Sequence, residues 1–382
     1  MAKKEKKEPK VKTNNKDSLK NVVDSCQKEY GKESIQVGIN AGIVKCDVIS
    51  TGSIAVDAVI GVGGVPRGRI IEIYGPESSG KTTLCMSVVA RAQAAGGVAA
   101  FIDAECATDL NYTKKIGVDI DKLLFAQPDT GEQVFGVVEK LIRSNKVDVI
   151  VVDSVAAIIP EVILAGDYGD SHYPEQAKLI AQALNRIKGV LRKSKTILMF
   201  TNQLRDNLKT GMGVSPDRTV GGRALKFYAS VRMDIRRIGS LEDGGGKFGN
   251  IIRAKVTKNK VAPPFRETEF MILFGEGICL EYDLLTLGVQ HGVVEQSGAW
   301  YAYKGVRLGQ SKRGAIEFLK QNEDYKFEME KALREKIFAL PLASAAPASV
   351  VEEDDSESDV DEEIDPETTP VAAESGDNPK EE

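Results

Sequence analysis

The 382-residue chain has no long apolar run, few cysteines and few histidines. Its longest apolar stretch, residues 147–160, is interrupted by two aspartates and a serine, and a membrane-spanning helix needs roughly 18 uninterrupted residues. The lysine-rich N-terminus lacks the apolar region of a secretory signal. The five cysteines include no Cys-x-x-Cys pair, which argues against a disulfide framework and a zinc site. We therefore expect a cytoplasmic protein.

Histidine and aromatic residues are equally uninformative about catalysis. His172 and His291 are the only histidines, and neither belongs to a metal-ligand or nucleophile pattern, which argues against zinc-dependent or histidine-assisted chemistry. Trp300, Tyr301 and Tyr303 share one strand-like run, and we interpret all three as core residues rather than as a platform for stacking bases.

The net charge of −5 conceals a strong asymmetry. Residues 351–382 carry 15 acidic side chains and one lysine, whereas residues 1–350 carry 50 basic and 41 acidic side chains. The basic body suits a polyanionic partner. The acidic segment either competes for the same surface or only keeps the protein soluble, and composition leaves both readings open.

Short runs rich in Val and Ile alternate with helical patterns over much of the chain. Such runs are typical of strands buried on both faces of a parallel sheet, and the alternation predicts an α/β core. The predicted strands are 70–74, 98–102, 123–126, 147–152 and 196–200, and the predicted helices are 81–95, 131–144 and 175–193. Three later runs, 229–235, 252–257 and 269–274, predict hairpin-connected strands that extend the sheet.

We divide the chain into four segments. Residues 1–42 form a basic segment with a short helix from about Ser18 to Tyr30, 43–279 the α/β core, and 280–340 a small α/β unit. Residues 341–382 lack the apolar content needed to offset ordering entropy, so we expect them to be disordered.

The sharpest local motif follows the strand that ends at Tyr74 and fits G-x-x-x-x-G-K-[ST]. Its residues are Gly75, Pro76, Glu77, Ser78, Ser79, Gly80, Lys81 and Thr82. Glycines let backbone N–H groups surround phosphate oxygens, and the N-terminus of the following helix favours anions. Lys81 supplies charge to the β- and γ-phosphates, and the Thr82 hydroxyl is a ligand for Mg²⁺. The motif predicts a P-loop nucleotide site.

Three further strands run into polar residues. In an open parallel sheet such ends meet at one edge, where ligands bind. We interpret Asp153 as the partner of Mg²⁺, Glu105 as the group that activates water, and Gln203 as a sensor of the γ-phosphate. Alternatively, polar residues simply terminate buried strands.

Two glycine-containing segments, 166–173 and 204–222, follow two of these strands. A connection as long as 204–222 is usually functional or disordered. Because it begins directly after Gln203, it is placed to change order with the nucleotide state, as switch loops do. The alternative is that both segments are plain surface connectors.

Six stretches closely resemble the bacterial RecA DNA recombinases. They are residues 75–83 (GPESSGKTT), 101–105 (FIDAE), 127–133 (QPDTGEQ), 149–157 (VIVVDSVAA), 224–232 (ALKFYASVR) and 258–260 (KNK). The similarity extends from about residue 19 to residue 338. It implies a P-loop NTPase with a RecA-like core, a mostly parallel central sheet, a small N-terminal helical element and a small α/β C-terminal domain.

The resemblance also implies a function and its residues. The implied protein forms a helical filament of its own copies on single-stranded DNA, hydrolyses ATP with Mg²⁺, and pairs the strand with homologous duplex DNA. Lys81, Thr82 and Asp153, together with Thr83, bind nucleotide and Mg²⁺, and Asp109 and Tyr112 contact adenine. Lys258 and Lys260 reach the ATP of a neighbouring subunit. The implied DNA-binding residues are Gly166, His172, Arg205, Gly221, Gly222 and Arg223.

Several residues depart from the family pattern. Cys106 stands in place of the usual His, Tyr173-Pro174 in place of Met-Gly, Met212 near a usual Phe and Arg223 in place of Asn. Stimulation of repressor self-cleavage, an activity of many relatives, is left open. Two alternatives also stay open at this point: a hexameric helicase motor built on the same core, and a nucleotide-gated scaffold without enzymatic activity.

Overall fold

The computed structural model describes residues 14–31, 34–35, 46–166, 173–206, 217–243 and 246–338. The acidic segment 341–382, the basic residues before position 14, His172 and Met212 lie outside the described residues. Within the described ranges, no helix is both long enough and apolar enough to cross a membrane. All five cysteines are free.

The strands are numbered in chain order. They are Val48–Ile49 (β1), Val65–Pro66 (β2), Ile70–Gly75 (β3), Ala99–Asp103 (β4), Leu124–Ala126 (β5), Val149–Asp153 (β6), Ile197–Asp206 (β7), Asp217–Thr219 (β8), Val231–Asp243 (β9), Gly246–Asn259 (β10), Glu267–Leu273 (β11), Gly277–Ile278 (β12), Glu295–Ser297 (β13), Trp300–Tyr303 (β14) and Val306–Gly309 (β15).

The helices are numbered in the same way. They are Asn14–Tyr30 (α1), Ile54–Ile60 (α2), Lys81–Ala94 (α3), Leu110–Lys115 (α4), Gly131–Arg143 (α5), Glu161–Leu164 (α6), Tyr173–Ser194 (α7), Ala224–Tyr228 (α8), Leu280–Gln290 (α9), Lys312–Gln321 (α10) and Glu323–Phe338 (α11).

A large, mostly parallel sheet forms the core, in the order β12-β11-β10-β9-β3-β7-β6-β4-β5. In this order, neighbours from β9 through β3, β7, β6 and β4 to β5 are paired in parallel. The consecutive strands β9, β10, β11 and β12 are paired antiparallel. Strand β3 lies between β9 and β7, so its carboxyl end is central. The predicted fold class is confirmed, as is the extension of the sheet by later antiparallel strands.

Burial on both faces explains the continuous apolar runs. In β6, Val149 and Val151 pack into one apolar layer with α3, and Ile150 and Val152 pack into the opposite layer with α5 and α7. All four side chains are fully buried. Because successive strand residues face opposite sides, a strand covered on both faces has no polar positions until it ends.

The α/β unit that follows the core has its own apolar centre. Tyr301 and Tyr303 of β14 pack there with residues of α9, α10 and α11. Trp300 is 42% exposed and lies 5.2 Å below the Arg307 guanidinium. The interpretation of Trp300 as a core residue is therefore wrong, because period-two alternation turns it away from the face that holds both tyrosines.

Two predicted boundaries differ in an informative way. Helix α1 begins at Asn14 rather than near Ser18. Strand β7 continues to Asp206, and Leu204 to Asp206 pair with Thr219 to Asp217 in an antiparallel ladder. The interpretation of 204–222 as one loop is thus wrong for 204–206 and 217–219, because ladder partners that lie 11 to 15 residues apart in the chain supply the backbone hydrogen bonds.

Candidate active site

The phosphate loop connects the end of β3 to the start of α3. Ser78 and Gly80 have φ values of 56° and 92°, a backbone conformation in which successive N–H groups surround one anion. Gly75 has no room for a side chain, since a Cβ there would lie 2.1 Å from the carbonyl oxygen of Ile235. Loop shape and helix N-terminus together form an anion site.

Two polar side chains of this loop, Lys81 and Ser79, have no charged partner in direct contact among the described residues. Lys81 Nζ donates to the carbonyl oxygens of Pro76 (2.6 Å) and Gly75 (3.2 Å). Burial lowers the pKa of Lys81, while the charges of Asp153 and Glu105 raise it. Ser79 Oγ is buried and has no hydrogen-bond partner among the described residues. A cation held only by carbonyls and an unpaired hydroxyl fit a polyanionic ligand such as a triphosphate.

Oxygen ligands for a divalent cation lie beside the loop. Thr82 Oγ1 donates to Asp153 Oδ2 at 2.5 Å, and the Thr201 hydroxyl donates to Asp153 Oδ1. Burial raises the pKa of Asp153, and these two hydroxyls lower it in part. No group of three His, Cys, Asp or Glu side chains within the described ranges is arranged to hold a metal. One carboxylate and one hydroxyl fit Mg²⁺, which keeps waters and substrate phosphates as its other ligands.

Glu105 and Gln203 meet at the same edge of the sheet. Strands β4 and β6 are in register at Asp103 and Asp153, which places Glu105 next to Ser154. Glu105 Oε1 accepts hydrogen bonds from Ser154 Oγ and from Gln203 Nε2, the latter at 3.1 Å. The strand ends therefore bring the three polar candidates of the sequence into one cluster.

A pocket of about 310 Å³ continues from the loop. Tyr112 lies on one side, where its hydroxyl is 3.3 Å from Thr83 Oγ1. Asp109 caps α4, since its Oδ1 accepts from the N–H groups of Asn111 (2.8 Å) and Tyr112 (3.1 Å). Asp109 thus holds the first turn of the helix that carries Tyr112.

The opposite wall of this pocket comes from the antiparallel strands and was missed by sequence reasoning. It consists of Asn250, Ile252, Ile272 and Phe274. Phe274 is 52% exposed, although it directly follows a buried strand. An exposed aromatic that lines the same pocket as Tyr112 suits a planar base. The sequence signal was weak, because these residues are far from the phosphate loop along the chain and read as ordinary strand residues.

Lys258 lies on β10 and Lys260 directly follows this strand, and both contact the end of α8. Lys258 Nζ donates to the carbonyl oxygens of Lys226 (2.6 Å) and Phe227 (3.1 Å), and Lys260 Nζ lies 3.5 Å from the latter oxygen. Burial, then the charges of Lys260 and Arg232, lowers the pKa of Lys258. Carbonyls at a helix C-terminus hold the two cations near the surface.

The residues implied for DNA contact occupy several places. Arg205 pairs with Arg218 in the β7–β8 ladder. Gly221 and Gly222 follow β8 with φ values of 86° and 74°, Arg223 is exposed at the start of α8, and Gly166 is exposed after α6. A Cβ on Gly221 would lie 2.8 Å from Ile180 and from Val155. Close packing on α7 therefore explains this glycine without any ligand.

Two family models match the chain. The model described as the RecA N-terminal domain matches residues 17–279, and the model described as the RecA C-terminal domain matches residues 282–338. This chain belongs to the RecA family. Membership confirms the prediction of a recombinase that forms filaments and exchanges DNA strands, and it does not support the helicase alternative.

Curated relatives agree over most of the chain. A protein named Protein RecA from Clostridium perfringens (strain 13) is 49% identical over 346 residues, which cover 90% of this chain and 98% of the relative. Protein RecA from Acidothermus cellulolyticus is 51% identical over 328 residues, 86% of this chain and 95% of the relative. Protein RecA from Mycobacterium sp. (strain KMS) is 53% identical over 311 residues, 81% of this chain and 89% of the relative.

Sequence reasoning also missed a group of basic residues on the hairpin that β9 and β10 form in this RecA family member. On the β9–β10 hairpin, Arg236 lies directly opposite Arg253, and Lys255 lies opposite Asp234. Arg236 forms an ion pair with Asp234 at 3.0 Å. Like charges that face each other across strands destabilise a sheet, so this arrangement suits a surface that meets an anion. Periodicity alone hid it, because pairing between strands sets which side chains are neighbours.

Proposed function

We propose that this protein hydrolyses ATP when it is bound to DNA and that the ATP lies between two protomers of a helical filament. The observation that carries the proposal is the convergence of Lys81, Asp153, Glu105 and Gln203 on the phosphate loop. Residues 43–279 form the ATPase core in this proposal, 1–42 serve oligomerisation, 280–340 form the C-terminal domain and 341–382 the acidic tail. The chain works in the cytoplasm.

The residues of the phosphate loop and of the strand ends have different roles in ATP hydrolysis. The loop N–H groups and Lys81 bind the phosphates, and Thr82 and Asp153 hold Mg²⁺. The bound Mg²⁺ supplies positive charge that offsets charge on the phosphate oxygens. Glu105 accepts the proton of a water molecule whose oxygen attacks the γ-phosphorus, so that ADP and inorganic phosphate are released. Tyr112 and Phe274 enclose the adenine.

Gln203 links the site to DNA. In this structure its amide donates to Glu105, and a γ-phosphate offers a charged acceptor at the same edge of the sheet. Gln203 lies on β7, two residues before Arg205. Its choice of partner therefore changes the end of the strand that leads into the second glycine-containing segment, 204–222. Occupancy by ATP rather than ADP then sets the affinity for single-stranded DNA.

Lys258 and Lys260 complete the site of the neighbouring protomer. They lie on the surface beside exposed Phe227, and their partners are backbone carbonyls. Neutral acceptors are exchanged for phosphate oxygens at low cost. Leu19 and Val22 of α1 are also exposed, at 65% and 53%. The apolar face of α1 and the cationic surface of Lys258 and Lys260 are two different surfaces of the protomer. Contacts between different surfaces are head-to-tail, and repeated head-to-tail contacts build a helical filament.

DNA contacts are assigned to both glycine-containing segments and to basic residues near them. The assigned residues are Gly166, His172, Arg205, Gly221, Gly222 and Arg223. The hairpin that carries Arg236 and Arg253 offers a further phosphate surface, suited to the homologous duplex. Contacts of this kind make binding strongly dependent on salt concentration. The filament also serves as the partner of a repressor that cleaves itself.

Hydrolysis and assembly are tested together. Phosphate release is measured with ATP and Mg²⁺ in the presence and absence of single-stranded DNA, and the same mixtures are imaged by electron microscopy. We expect DNA-stimulated release and helical filaments. Closed rings without filaments would instead favour a ring-shaped motor, and absence of phosphate release with DNA present would favour a scaffold.

A further inference from the structure

A buried polar network lies directly behind Gln203. At its centre is Asn202, whose side chain is fully buried. Its amide nitrogen donates to Glu72 Oε1 at 2.9 Å and to the backbone carbonyl oxygen of Val220 at 3.0 Å. Its amide oxygen accepts from the backbone N–H of Gln203 at 2.9 Å. One side chain therefore holds both the predicted phosphate sensor and the residue before Gly221.

The orientation of Asn202 is fixed by its partners. The Val220 carbonyl can only accept hydrogen bonds, and so can the ionised carboxylate of Glu72. The amide nitrogen must therefore face these two groups, which leaves the amide oxygen for Gln203. Rotation of the amide by half a turn would lose all three hydrogen bonds inside the protein.

Glu72 is itself anchored. It is buried in β3, and its second carboxylate oxygen accepts a hydrogen bond from Arg232 Nε on β9. The Arg232 guanidinium lies 4.7 Å from the centre of the Tyr74 ring. Because breaking a buried ion pair is strongly unfavourable, Arg232 holds Glu72 in place. The network thus rests on the rigid centre of the sheet.

Val220 leads directly into a tightly fitted turn. Gly221 and Gly222 have left-handed backbone conformations, and a Cβ on Gly222 would lie 2.9 Å from Ala177 Cβ. A turn packed this closely on α7 moves as a unit rather than bending locally. A displacement of the Val220 carbonyl is therefore passed on to both glycines.

We infer that Asn202 is a positioning residue that couples the γ-phosphate site to DNA affinity; this inference rests on the proposed function. When Gln203 moves from Glu105 to a γ-phosphate, its backbone N–H moves with it. Asn202 follows that N–H, and its grip on Val220 shifts the turn at Gly221 and Gly222. Asn202 touches no substrate in this account, and its effect passes through Gln203 and Val220.

The test compares DNA affinity in two nucleotide states. The binding of a fluorescent oligothymidylate to the full chain is measured by anisotropy with a non-hydrolysable ATP analogue and with ADP, at one salt concentration. In Asn202→Ala we expect the ratio of the DNA affinity with the ATP analogue to the DNA affinity with ADP to fall about tenfold toward one. The affinity of the protein for the ATP analogue itself should stay within about twofold of wild type. If Asn202 had a merely structural role, its replacement would lower the stability and both DNA affinities together.

Tyr74→Phe is the matched control. It removes the 2.9 Å hydrogen bond between Tyr74 and Thr257 on the far side of Arg232 but leaves the contacts of Asn202, so we expect the wild-type ratio. If Asn202→Ala does not fold, Asn202→Ser is measured in the same way, since its short hydroxyl cannot hold both acceptors.

Three results would overturn the inference. A wild-type ratio in the Asn202 variant removes it and leaves the proposed function intact. An equal loss in Tyr74→Phe also removes it, because the coupling would then belong to the sheet as a whole. A wild-type protein whose DNA affinity does not depend on the nucleotide removes the proposed function and the inference together.

Discussion

Two buried carboxylates, Asp153 and Asp283, lie in different regions and have different surroundings. Burial raises the pKa of both. In Asp153, each oxygen accepts a hydroxyl hydrogen bond, one from Thr82 and one from Thr201. In Asp283, one oxygen accepts from the Ser53 hydroxyl and a backbone N–H, and the other has no partner among the described residues.

The charges around the two carboxylates also differ. Lys81 lies near Asp153 and lowers its pKa, while the site opens into a pocket. The negative charge of Asp57 raises the pKa of Asp283 further. Asp57 itself forms an ion pair with Arg334 of α11 at 3.1 Å. Asp283 therefore lies in the packed seam between α2 of the core and the C-terminal unit. A raised pKa alone does not mark a functional site; a nearby cation and an open cavity do.

The largest effect is expected at Glu105, which lies at the same edge of the sheet as Asp153. Glu105→Gln keeps the shape of the side chain but cannot accept a proton. We expect the rate of phosphate release with DNA to fall about 10²- to 10⁴-fold, while ATP-dependent DNA binding is kept. Asp283→Asn, which also removes one carboxylate, is the control and should keep the wild-type rate. Undiminished release in Glu105→Gln would show that another group activates the water.

A smaller effect is expected at Asp153. Asp153→Asn removes the charge of the carboxylate that contacts Thr82, so we expect the Mg²⁺ concentration for half-maximal phosphate release to rise roughly 10- to 100-fold. A magnesium titration at saturating ATP and DNA measures it. An unchanged midpoint would mean that Asp153 has only the structural role that Asp283 has.

The seam predicts a pH effect on stability rather than on catalysis. The pKa of Asp283 is raised to about 7, against about 3.9 in an unfolded chain. The native protein then keeps a proton that the unfolded chain releases, so the free energy of unfolding decreases as pH rises from about 4 to about 7 and levels off above. The whole decrease is at most about 4 kcal/mol.

Asp283→Asn should flatten this dependence, because asparagine is neutral at every pH. Urea unfolding of both proteins between pH 5 and pH 8 measures the difference. Parallel curves would contradict the account of the seam.

The smallest effect concerns the acidic tail. Truncation after Leu342 removes the acidic segment, which has a net charge of −14. If this segment competes with DNA phosphates, the truncated chain should bind duplex DNA a few-fold more tightly than the full chain. The difference should be larger at low salt than at high salt. Filter binding at two salt concentrations measures it. Equal affinities at low salt would leave the tail with a role in solubility only.

The comparison also shows what a sequence can predict. The run Ile70 to Tyr74 and the following motif predict a strand, a phosphate loop and a helix, because the period and the glycines act locally. The meeting of Glu105 and Gln203 was predictable from the rule that parallel strand ends share an edge.

Contacts between distant antiparallel strands were not predictable in this way. Phe274 became part of the pocket wall only through pairing with other strands, and the continuation of β7 required β8 as a ladder partner. Asp283 reads as an ordinary acidic residue in the first turn of a helix. Its burial depends on how α9 packs against α2, which no local pattern encodes.

The most direct test of the shared ATP site mixes two inactive variants. Glu105→Gln lacks the base, and Lys258→Ala lacks the cation that we place in the neighbour's site. In an equal mixture, roughly a quarter of head-to-tail interfaces join an intact Glu105 to an intact Lys258. We predict that mixing restores phosphate release with DNA to roughly a quarter of the wild-type rate. A mixture as inactive as its two components would contradict a site shared between protomers.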